Sequence, residues 1–371
     1  MFRIDYPFSK EILACGAQHQ ANFCLTKKNS AYVINDLGSL NESQAWERYQ
    51  SEIERLKNEL KVKPKVISCD LHPEYNSTKY ARDLSQKSKG LKNIAIQHQH
   101  AHLASCIGEN RLTGKVIGVV FDAPGFGEDG NDWGGEFFLG DLQGFRRVGH
   151  LNYTSHPKGV ANPVQAARQL AFDFLYQAFG EGLSELPIDF IRHQQKENWQ
   201  TLKQGLNNSA YSSSAAQLFD AVSVLVGLRE RLEYSGQGVS DLERIINRSS
   251  HVANRTYEFA VKQQNGLFLV HPELIFQGIV EDLKKNTSKS IISAVFHNTI
   301  IEMIGQLCHG IKQKEKIKTV ILTGTVFQNK TLFNRVKELL TQDGFKVVEH
   351  LHFPCNDSNI SFGQAVLANV K

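Results

Sequence analysis

The sequence predicts an α/β fold made of two copies of a βββαβαβα unit, which face each other across a cleft. Short β-type segments followed by segments of helical periodicity occur twice along the chain in the same order. The segment KPKVISCDLHPEYNSTKYARDL in the first half is echoed by KIKTVILTGTVFQNKTLFNRVKEL near the end. With 371 residues, of which 41% are hydrophobic and 22% charged, the chain is long enough and apolar enough to form two such lobes.

The first unit, residues 1–113, opens with three short β-type segments separated by turn residues, which predict an antiparallel meander. A segment of helical periodicity follows and ends before Pro64, and the next apolar run predicts a buried strand. Two more helices and one strand complete the unit. The predicted elements are ILACGAQ, ANFCLTKK, AYVIND, helix Ser43–Leu60, strand Val66–Asp70, helix Ser77–Leu84, strand Ile94–Gln97 and helix HAHLASCIGENRL.

The second unit, residues 114–371, repeats this order and contains a helical insertion at about 162–312. Its predicted elements are strands Val116–Asp122, Gly134–Gly140 and Phe145–Asn152, then strand Thr319–Gly324, helix KTLFNRVKELL, strand Lys346–His350 and helix SFGQAVLANV. Two such lobes describe the actin-like ATPase and sugar kinase (ASKHA) architecture, in which the ligand lies in the interlobe cleft at the carboxyl ends of the strands. The architecture alone does not identify a function.

Charge and composition exclude several classes of partner. Lys plus Arg number 42 and Asp plus Glu 38, so the net charge of +4 is too weak to indicate nucleic acid or an anionic membrane. The six cysteines never form C-x-x-C, which argues against a zinc ribbon or a disulfide framework. The N-terminus lacks an apolar signal segment, and the longest uncharged apolar run, Val116–Phe121, is too short to cross a bilayer. We therefore expect a cytoplasmic protein.

Two histidines and two aspartates are candidate metal ligands. His98 and His102 stand four residues apart where a strand passes into a helix, so both imidazoles project from one helix face at a spacing suited to chelation. The pair alone is explained equally well if one of the two histidines lies at the surface and the other is a core residue whose ring nitrogens hydrogen-bond within the protein. Asp357 lies in the loop that the duplication places opposite His98, and Asp122 ends the first strand of the second lobe. Together they resemble an Fe(II) or Zn(II) site with open positions, although each aspartate alone is better read as a turn or N-cap residue.

Two glycine segments are candidate phosphate-binding loops. The segment from Gly125 to Gly130 matches G-x-G-x-x-G, but turn and strand residues follow it rather than a helix, which excludes a dinucleotide-binding fingerprint. A hairpin that closes over a phosphate and an ordinary β-turn both remain possible interpretations. Gly324 and Thr325 lie between a strand and a helix N-terminus, where backbone N–H groups can bind an anion.

Eight motifs spread over the whole chain resemble those of one family. They are DLHPEYNSTKYA, QHQHAH, FGEDGNDWGGEFF, SSSAAQLFDAVSVLVGL, GQGVSDLE, FHNT, TGTVFQN and FPCNDSNISFGQA. In this order they resemble the C-terminal carbamoyl-transfer domain of HypF-type hydrogenase maturation factors, which has the ASKHA fold. The resemblance implies a metal site with catalytic function at His98, His102, Asp122 and Asp357. It also implies that ATP, AMP or carbamoyl-adenylate is bound by Gly125, Gly127, Gly324, Thr325, Asn329, Asp220 and Gln237.

The resemblance further implies a reaction and partners. In the family, the carbamoyl group passes from carbamoyl-adenylate to the C-terminal cysteine thiol of HypE, on the way to the cyanide ligands of [NiFe] hydrogenase. No acylphosphatase, zinc or YrdC-like segment is recognisable in the chain. We therefore expect two protein partners, a HypE-like acceptor and a carbamoyl-adenylate-forming protein. Cys355, two residues before Asp357, is the one cysteine expected beside the site, where a metal could make it reactive or a ligand.

Departures from the family pattern concentrate in the nucleotide loops. Glycines of the family are replaced by Ala123, Lys158, Ala216, Thr325, Ser358 and Asn359. Polar or charged residues of the family are replaced by Gln18, Gln20, Pro124, Val160 and Gln217. Each added Cβ can obstruct a phosphate, so we expect weak nucleotide binding. A non-catalytic paralogue that serves as scaffold or regulator is therefore the alternative to a HypF-type carbamoyltransferase. Phosphorylation of a small molecule is less favoured, because sugar kinases do not need the histidine pair.

Overall fold

The computed structural model describes residues 1–156, 163–192, 196–207, 210–246, 252 and 254–371. Within these residues the chain forms two lobes, each built on one sheet with helices packed against it. Most predicted elements are confirmed within a few residues, and helix Ser43–Leu60 and strand Val66–Asp70 have the predicted bounds.

The first lobe has six strands and three helices. The strands are β1 (Phe2–Asp5), β2 (Ile12–Ala14), β3 (Phe23–Lys27), β4 (Ser30–Ile34), β5 (Val66–Asp70) and β6 (Lys92–Ile96), and the sheet order is β1-β4-β3-β2-β5-β6. The helices are α1 (Ser43–Leu60), α2 (Asn76–Lys87) and α3 (His98–Asn110). Helix α1 forms because its buried residues, Ala45, Tyr49, Ile53 and Leu56, recur at helical spacing. Strand β1 was not predicted; it adds to the sheet edge by antiparallel pairing with β4.

The second lobe is larger. Its strands are β7 (Val116–Phe126), β8 (Asp132–Asp141), β9 (Gly144–Leu151), β10 (Thr154–His156), β11 (Ala210–Ser212), β12 (Ala260–Gln264), β13 (Leu267–His271), β14 (Thr319–Thr323) and β15 (Lys346–Val348). The sheet runs β12-β13-β9-β8-β7-β14-β15, with β11 joining β10 to β8. Its helices are α4 (Pro163–Phe179), α5 (Asp189–Arg192), α6 (Lys196–Asn207), α7 (Ala215–Leu225), α8 (Gln237–Arg244), α9 (Glu273–Lys284), α10 (Lys289–Glu315), α11 (Lys330–Gln342) and α12 (Ile360–Val370).

The structure adds two details to the predicted lobes. The insertion at about 162–312, whose first residue lies outside the described residues, is not purely helical, because strands β11, β12 and β13 fall within it. Residues Phe268 and Val270 alternate inward along β13, which pairs in parallel with β9 and so extends the second sheet. Helix α12 follows β15 of the second lobe along the chain but packs on α3 and on β2 of the first sheet, where its apolar residues join the core cluster of the first lobe.

Helix α10 is the central core helix of the second lobe. Among the described residues it is the one helix long and apolar enough to cross a membrane, but 83% of its apolar window is buried inside the protein. Its buried side chains, such as Phe296 and Ile300, belong to the main apolar cluster of the second lobe. The length and composition of α10 are therefore explained by core packing.

The predicted duplication and the ASKHA architecture are confirmed. In the first lobe β2, β5 and β6 are parallel neighbours, and in the second lobe β7, β14 and β15 repeat this arrangement. Each set is followed by helices at equivalent points, α2 and α3 in one lobe and α11 and α12 in the other. The carboxyl ends of these parallel strands are where this architecture places its ligand site.

Candidate metal site between the lobes

Helix α3 presents the histidine pair. The helix begins at His98, and the side chain of Gln97 caps it by accepting a hydrogen bond from the His100 N–H. His98 and His102 are buried on one face, and their ring centroids are 5.1 Å apart. His100 points elsewhere, as predicted: it packs against the rings of Phe138 and Phe145, and burial lowers its pKa to about 4.

Asp122 lies at an irregularity of β7, where the pairing register with β8 shifts after Phe121. Its Oδ1 accepts hydrogen bonds from the N–H of Thr325, at 2.9 Å, and from the Thr325 hydroxyl. The turn that carries Thr325 begins at Gly324, whose φ of +100° and close approach to the Phe121 carbonyl exclude a side chain. Oδ1 is therefore occupied within the protein, and Oδ2 is left to face the histidines.

Asp357 comes from the opposite loop and begins a short turn before α12. The side chain of Asn22, from the first lobe, donates to the Asp357 carbonyl at 2.7 Å and accepts from the Ser361 N–H at 3.1 Å. The Asp357 side chain is 19% exposed, whereas those of His102 and Asp122 are almost fully buried. The loop thus brings a carboxylate to the solvent side of the buried pair.

The four predicted ligands converge. Each offers one ligand atom, and these atoms all lie within 4.8 Å of one another. Nε2 of His98 is 3.7 Å from Asp122 Oδ2 and 3.5 Å from Asp357 Oδ1. Nε2 of His102 is 2.8 Å from Asp122 Oδ2 and 4.0 Å from Asp357 Oδ1. The structure therefore brings together residues that are far apart in the sequence around one point between the lobes.

Asp70, which was not predicted from the sequence, hydrogen-bonds to the ring nitrogen of His98 that faces away from the other candidate ligands. Its Oδ2 is 2.7 Å from His98 Nδ1, so a proton on Nδ1 leaves the lone pair of Nε2 directed at the other ligands. Oδ1 of Asp70 accepts from the His72 N–H at 2.9 Å. A signal was present in the sequence, because Asp70 is a carboxylate at the carboxyl end of the buried strand VISCD.

The electrostatics of the site favour a cation. Burial alone would lower the pKa of His98, but the carboxylates of Asp70, Asp122 and Asp357 outweigh it and raise that pKa well above its ordinary value. Burial alone would raise the pKa of Asp122, but His102 and His98 lower it well below its ordinary value. Three carboxylates and two imidazoles lie together in this site, so a bound divalent metal would be stabilised by the carboxylates of Asp70, Asp122 and Asp357.

The donor set fits a transition metal. Zn(II) and Fe(II) accept two imidazole nitrogens and two carboxylate oxygens as ligands. The other ring nitrogen of His98, Nδ1, and the other carboxylate oxygen of Asp122, Oδ1, already have hydrogen-bond partners. The four candidate ligands lie between the lobes, and Asp357 is partly exposed. A substrate could therefore approach the site from the side of Asp357. His98, His102, Asp122 and Asp357 are thus the residues that would hold the metal.

Most of the side chains predicted to bind nucleotide hydrogen-bond to other groups of the protein. Both carboxylate oxygens of Asp220 accept backbone N–H groups of Gly236 and Gly238 at 2.7 Å, and Gln237 accepts from Glu233 N–H. Burial raises the pKa of Asp220 to about 7. Asn329 caps α11 and donates to His297 Nε2 at 2.7 Å. Their assignment to nucleotide binding stays a prediction, since they also shape the loops of the second lobe.

The glycine segments differ in their relation to the site. Gly125 and Gly127 lie at the β7–β8 hairpin, where the Gly127 N–H donates to the Asn131 carbonyl, as an ordinary turn does. Gly125 packs against His98, since a Cβ at Gly125 would lie 3.5 Å from the His98 Cβ, and Gly324 and Thr325 adjoin Asp122. Two other residues that replace family glycines also have partners: Ser358 donates to Asn356, and Asn359 donates to the Pro354 carbonyl. Lys158, Gly159 and Val160 lie outside the described residues.

Cys355 does not join the ligand group. Its side chain is partly buried, and, without a metal, burial raises the pKa of the thiol to about 12. The expectation that a bound metal makes Cys355 reactive stays a prediction. The other five cysteines are buried, and burial raises their thiol pKa values as well. Burial therefore disfavours the thiolate form of all six cysteines.

Comparison with known families accounts for nearly the whole chain. Residues 8–109 match the family model described as the HypF Kae1-like domain. Residues 118–364 match the model described as the second subdomain of the carbamoyltransferase Kae1-like domain.

Individual relatives agree with these matches. The probable carbamoyltransferase HypF of Methanocaldococcus jannaschii is 32% identical over 98% of this chain and 47% of its own length. A carbamoyltransferase HypF homolog of Cupriavidus necator is 25% identical over 96% of this chain and 91% of its own length. A crystal structure of full-length HypF in the phosphate- and nucleotide-bound form superposes with a TM-score of 0.91 and 35% identity, over 99% of this chain and 57% of that one. The chain thus spans about half the length of the first of these relatives.

Proposed function

Because this chain belongs to the family of HypF Kae1-like carbamoyltransferase domains, we propose that it transfers a carbamoyl group from carbamoyl-adenylate to the thiol of an acceptor protein. The acceptor proposed is a HypE-like protein with a C-terminal cysteine, acting in [NiFe]-hydrogenase maturation. A separate protein or module would form the carbamoyl-adenylate. The one observation that carries this proposal is the convergence of His98, His102, Asp122 and Asp357 between the lobes.

Each residue of the site has a definable task. Asp70 keeps a proton on His98 Nδ1 and so keeps its Nε2 available as a ligand atom. Thr325 holds Asp122 Oδ1 through two donors and so directs Oδ2 inward. Asp357, the partly exposed ligand, lies where a substrate would approach. When bound, a divalent metal would supply Lewis acidity toward the carbamoyl carbonyl and charge compensation for the phosphate.

The nucleophile in this proposal belongs to the acceptor. The acceptor thiol loses its proton, its sulfur bonds to the carbamoyl carbon, and the bond from that carbon to the phosphate oxygen breaks. The products are an S-carbamoyl acceptor and AMP. Burial and raised pKa values make the thiols of this chain, including Cys355, unsuited to replace it.

The test is a transfer assay with purified components. The chain, loaded with Fe(II) or Zn(II), is mixed with a HypE-like acceptor and with carbamoyl-adenylate formed in place by a YrdC-like protein from carbamoyl phosphate and ATP. The acceptor mass should increase by one carbamoyl group. The variant His98→Ala/His102→Ala should abolish this increase, whereas His309→Ala, which changes a histidine on α10 away from the site, should not.

The outcomes separate the proposal from its alternative. Transfer that persists in Cys355→Ala and disappears when the acceptor cysteine is removed supports the proposal. A stable carbamoyl adduct on Cys355 contradicts the proposed order of transfer. Metal binding without any transfer favours a scaffold or regulator that keeps the site but not the reaction.

A further inference from the structure

Three buried side chains outside the ligand group form a hydrogen-bonded line. The Thr323 hydroxyl is 2.9 Å from His350 Nε2, and His350 Nδ1 is 2.6 Å from Glu109 Oε1. The side chains of His350 and Glu109 are 2% and 0% exposed, and Thr323 is fully buried. In the neutral imidazole, Nδ1–H donates to Glu109, and Nε2 accepts from the Thr323 hydroxyl.

The second oxygen of Glu109 binds the backbone of the next loop. Oε2 accepts from the N–H groups of Leu351 at 2.8 Å and His352 at 2.6 Å, and more weakly from Phe353 at 3.4 Å. Burial would raise the pKa of Glu109, but the bonds from His350 and the backbone lower it. An ionised carboxylate therefore closes the turn at residues 350–353, since charge-assisted hydrogen bonds offset its loss of hydration.

These three residues connect the segments that supply the metal ligands. Glu109 lies on the same face of α3 as His98 and His102. His102 and Glu109 follow His98 by four and eleven residues, which places them only about 40° and 20° from it around the helix. Thr323 lies two residues before Thr325, which holds Asp122. His350 begins the loop that continues to Asp357. The line thus joins α3, the β14 turn and the Asp357 loop at one buried point.

We propose that Glu109 and His350 are positioning residues of the metal site, and that the Glu109–His350–Thr323 brace sets the distance between helix α3 and the Asp357 loop. The inference rests on the proposed metal site. A hydroxyl, an imidazole and a carboxylate in line are also the parts of a nucleophilic triad. Thr323 is fully buried at the end of a sheet strand, however, so no substrate reaches its oxygen, and the line serves to hold the loops.

The test compares metal affinity among matched variants of the full chain. Zn²⁺ affinity is measured by competition with a chromophoric chelator, and the Co²⁺-loaded proteins are compared by their visible absorption. Glu109→Gln should keep the same stoichiometry but weaken Zn²⁺ binding by about 10-fold or more and change the Co²⁺ spectrum. Thr323→Val, a milder change at the other end of the brace, should weaken binding several-fold.

A matched control removes a buried carboxylate elsewhere. Asp282, on helix α9, accepts hydrogen bonds from Arg255 and Tyr257 and contacts none of the metal-site residues or the brace, so Asp282→Asn should lower stability without changing Zn²⁺ affinity or the Co²⁺ spectrum. If wild-type protein binds no metal, the proposed site itself is wrong and the brace fails with it. If wild type binds metal and both Glu109→Gln and Thr323→Val match it in affinity and spectrum, only the brace is wrong.

Discussion

At the scale of single residues, the site depends on side chains that hold the ligands rather than on the ligands alone. Asp70 fixes His98, and Thr325 fixes Asp122. From the sequence, Thr325 is a side chain in place of a glycine and an obstacle to phosphate. In the structure its hydroxyl donates to Asp122 and accepts from the Ala123 N–H at 3.3 Å. Its side chain therefore has a role that a glycine could not supply.

The first prediction concerns this hydroxyl. Thr325→Val keeps the shape of the side chain and the backbone donor but removes the hydroxyl, so the orientation of Asp122 should be less well defined. We expect Zn²⁺ affinity to fall by about 10-fold, as for other partners of metal ligands. Thr325→Ser, which keeps a hydroxyl, should restore most of it. Chelator competition measures both, and equal affinity of the valine variant and wild type would contradict the assignment.

At the scale of elements, the site depends on the close crossing of α3 and α12. A Cβ at Gly363 would lie 1.8 Å from the Ala101 carbonyl, and a Cβ at Gly108 would lie 2.9 Å from Val366. Helix α3 carries the histidines and α12 directly follows the turn of Asp357. The distance between the two helices therefore controls the distance between the histidines and the third ligand.

The second prediction tests this crossing. Gly363→Ala should force the helices apart and destabilise the metal-free protein by about 1–3 kcal/mol, as overpacked cores are destabilised. Denaturant unfolding in the presence of a chelator measures the loss. Gly182→Ala, at a position where a Cβ meets no atom within 4 Å, is the control and should change stability by less than about 0.5 kcal/mol. Similar stability of both variants would show that the crossing can relax.

At the scale of the whole molecule, the site joins the two lobes. His98 and His102 lie at the start of α3, directly after β6 of the first sheet, and Asp122 belongs to the sheet of the second lobe. A metal bound by all of them stabilises the folded arrangement, because the unfolded chain does not hold these residues together. Metal binding at this site would therefore be coupled to lobe packing.

The third prediction follows from this coupling. Zn²⁺ at about 100 times its dissociation constant should stabilise the protein by about 2.7 kcal/mol, seen as a rise in Tm. The rise should shrink as pH falls, because the raised pKa of His98 means that protons compete with the metal for this site. Thermal unfolding at several pH values measures it. The His98→Ala/His102→Ala variant should show no rise, and a rise there equal to wild type would place the metal elsewhere.

Much of the fold was predictable because secondary structure follows local patterns. The periodicity of Ala45, Tyr49, Ile53 and Leu56 defines α1, and the apolar run VISCD defines β5. Strand β1 and the β12–β13 hairpin escaped prediction because their strands are short and partly exposed. The packing of the final helix against the first sheet was not predictable, because an apolar helix does not indicate which sheet will cover it.

The sequence by itself determined the duplicated α/β architecture and identified the four candidate ligands, since strand and helix patterns and motif residues are local properties. Only the tertiary structure decided which side chains hold those ligands. Asp70 meets His98 across 28 residues, Thr325 meets Asp122 across 203, and Glu109 meets His350 across 241. The physical reason is that a buried polar group must find its partner in space, and neither periodicity nor spacing in the chain records where that partner will be.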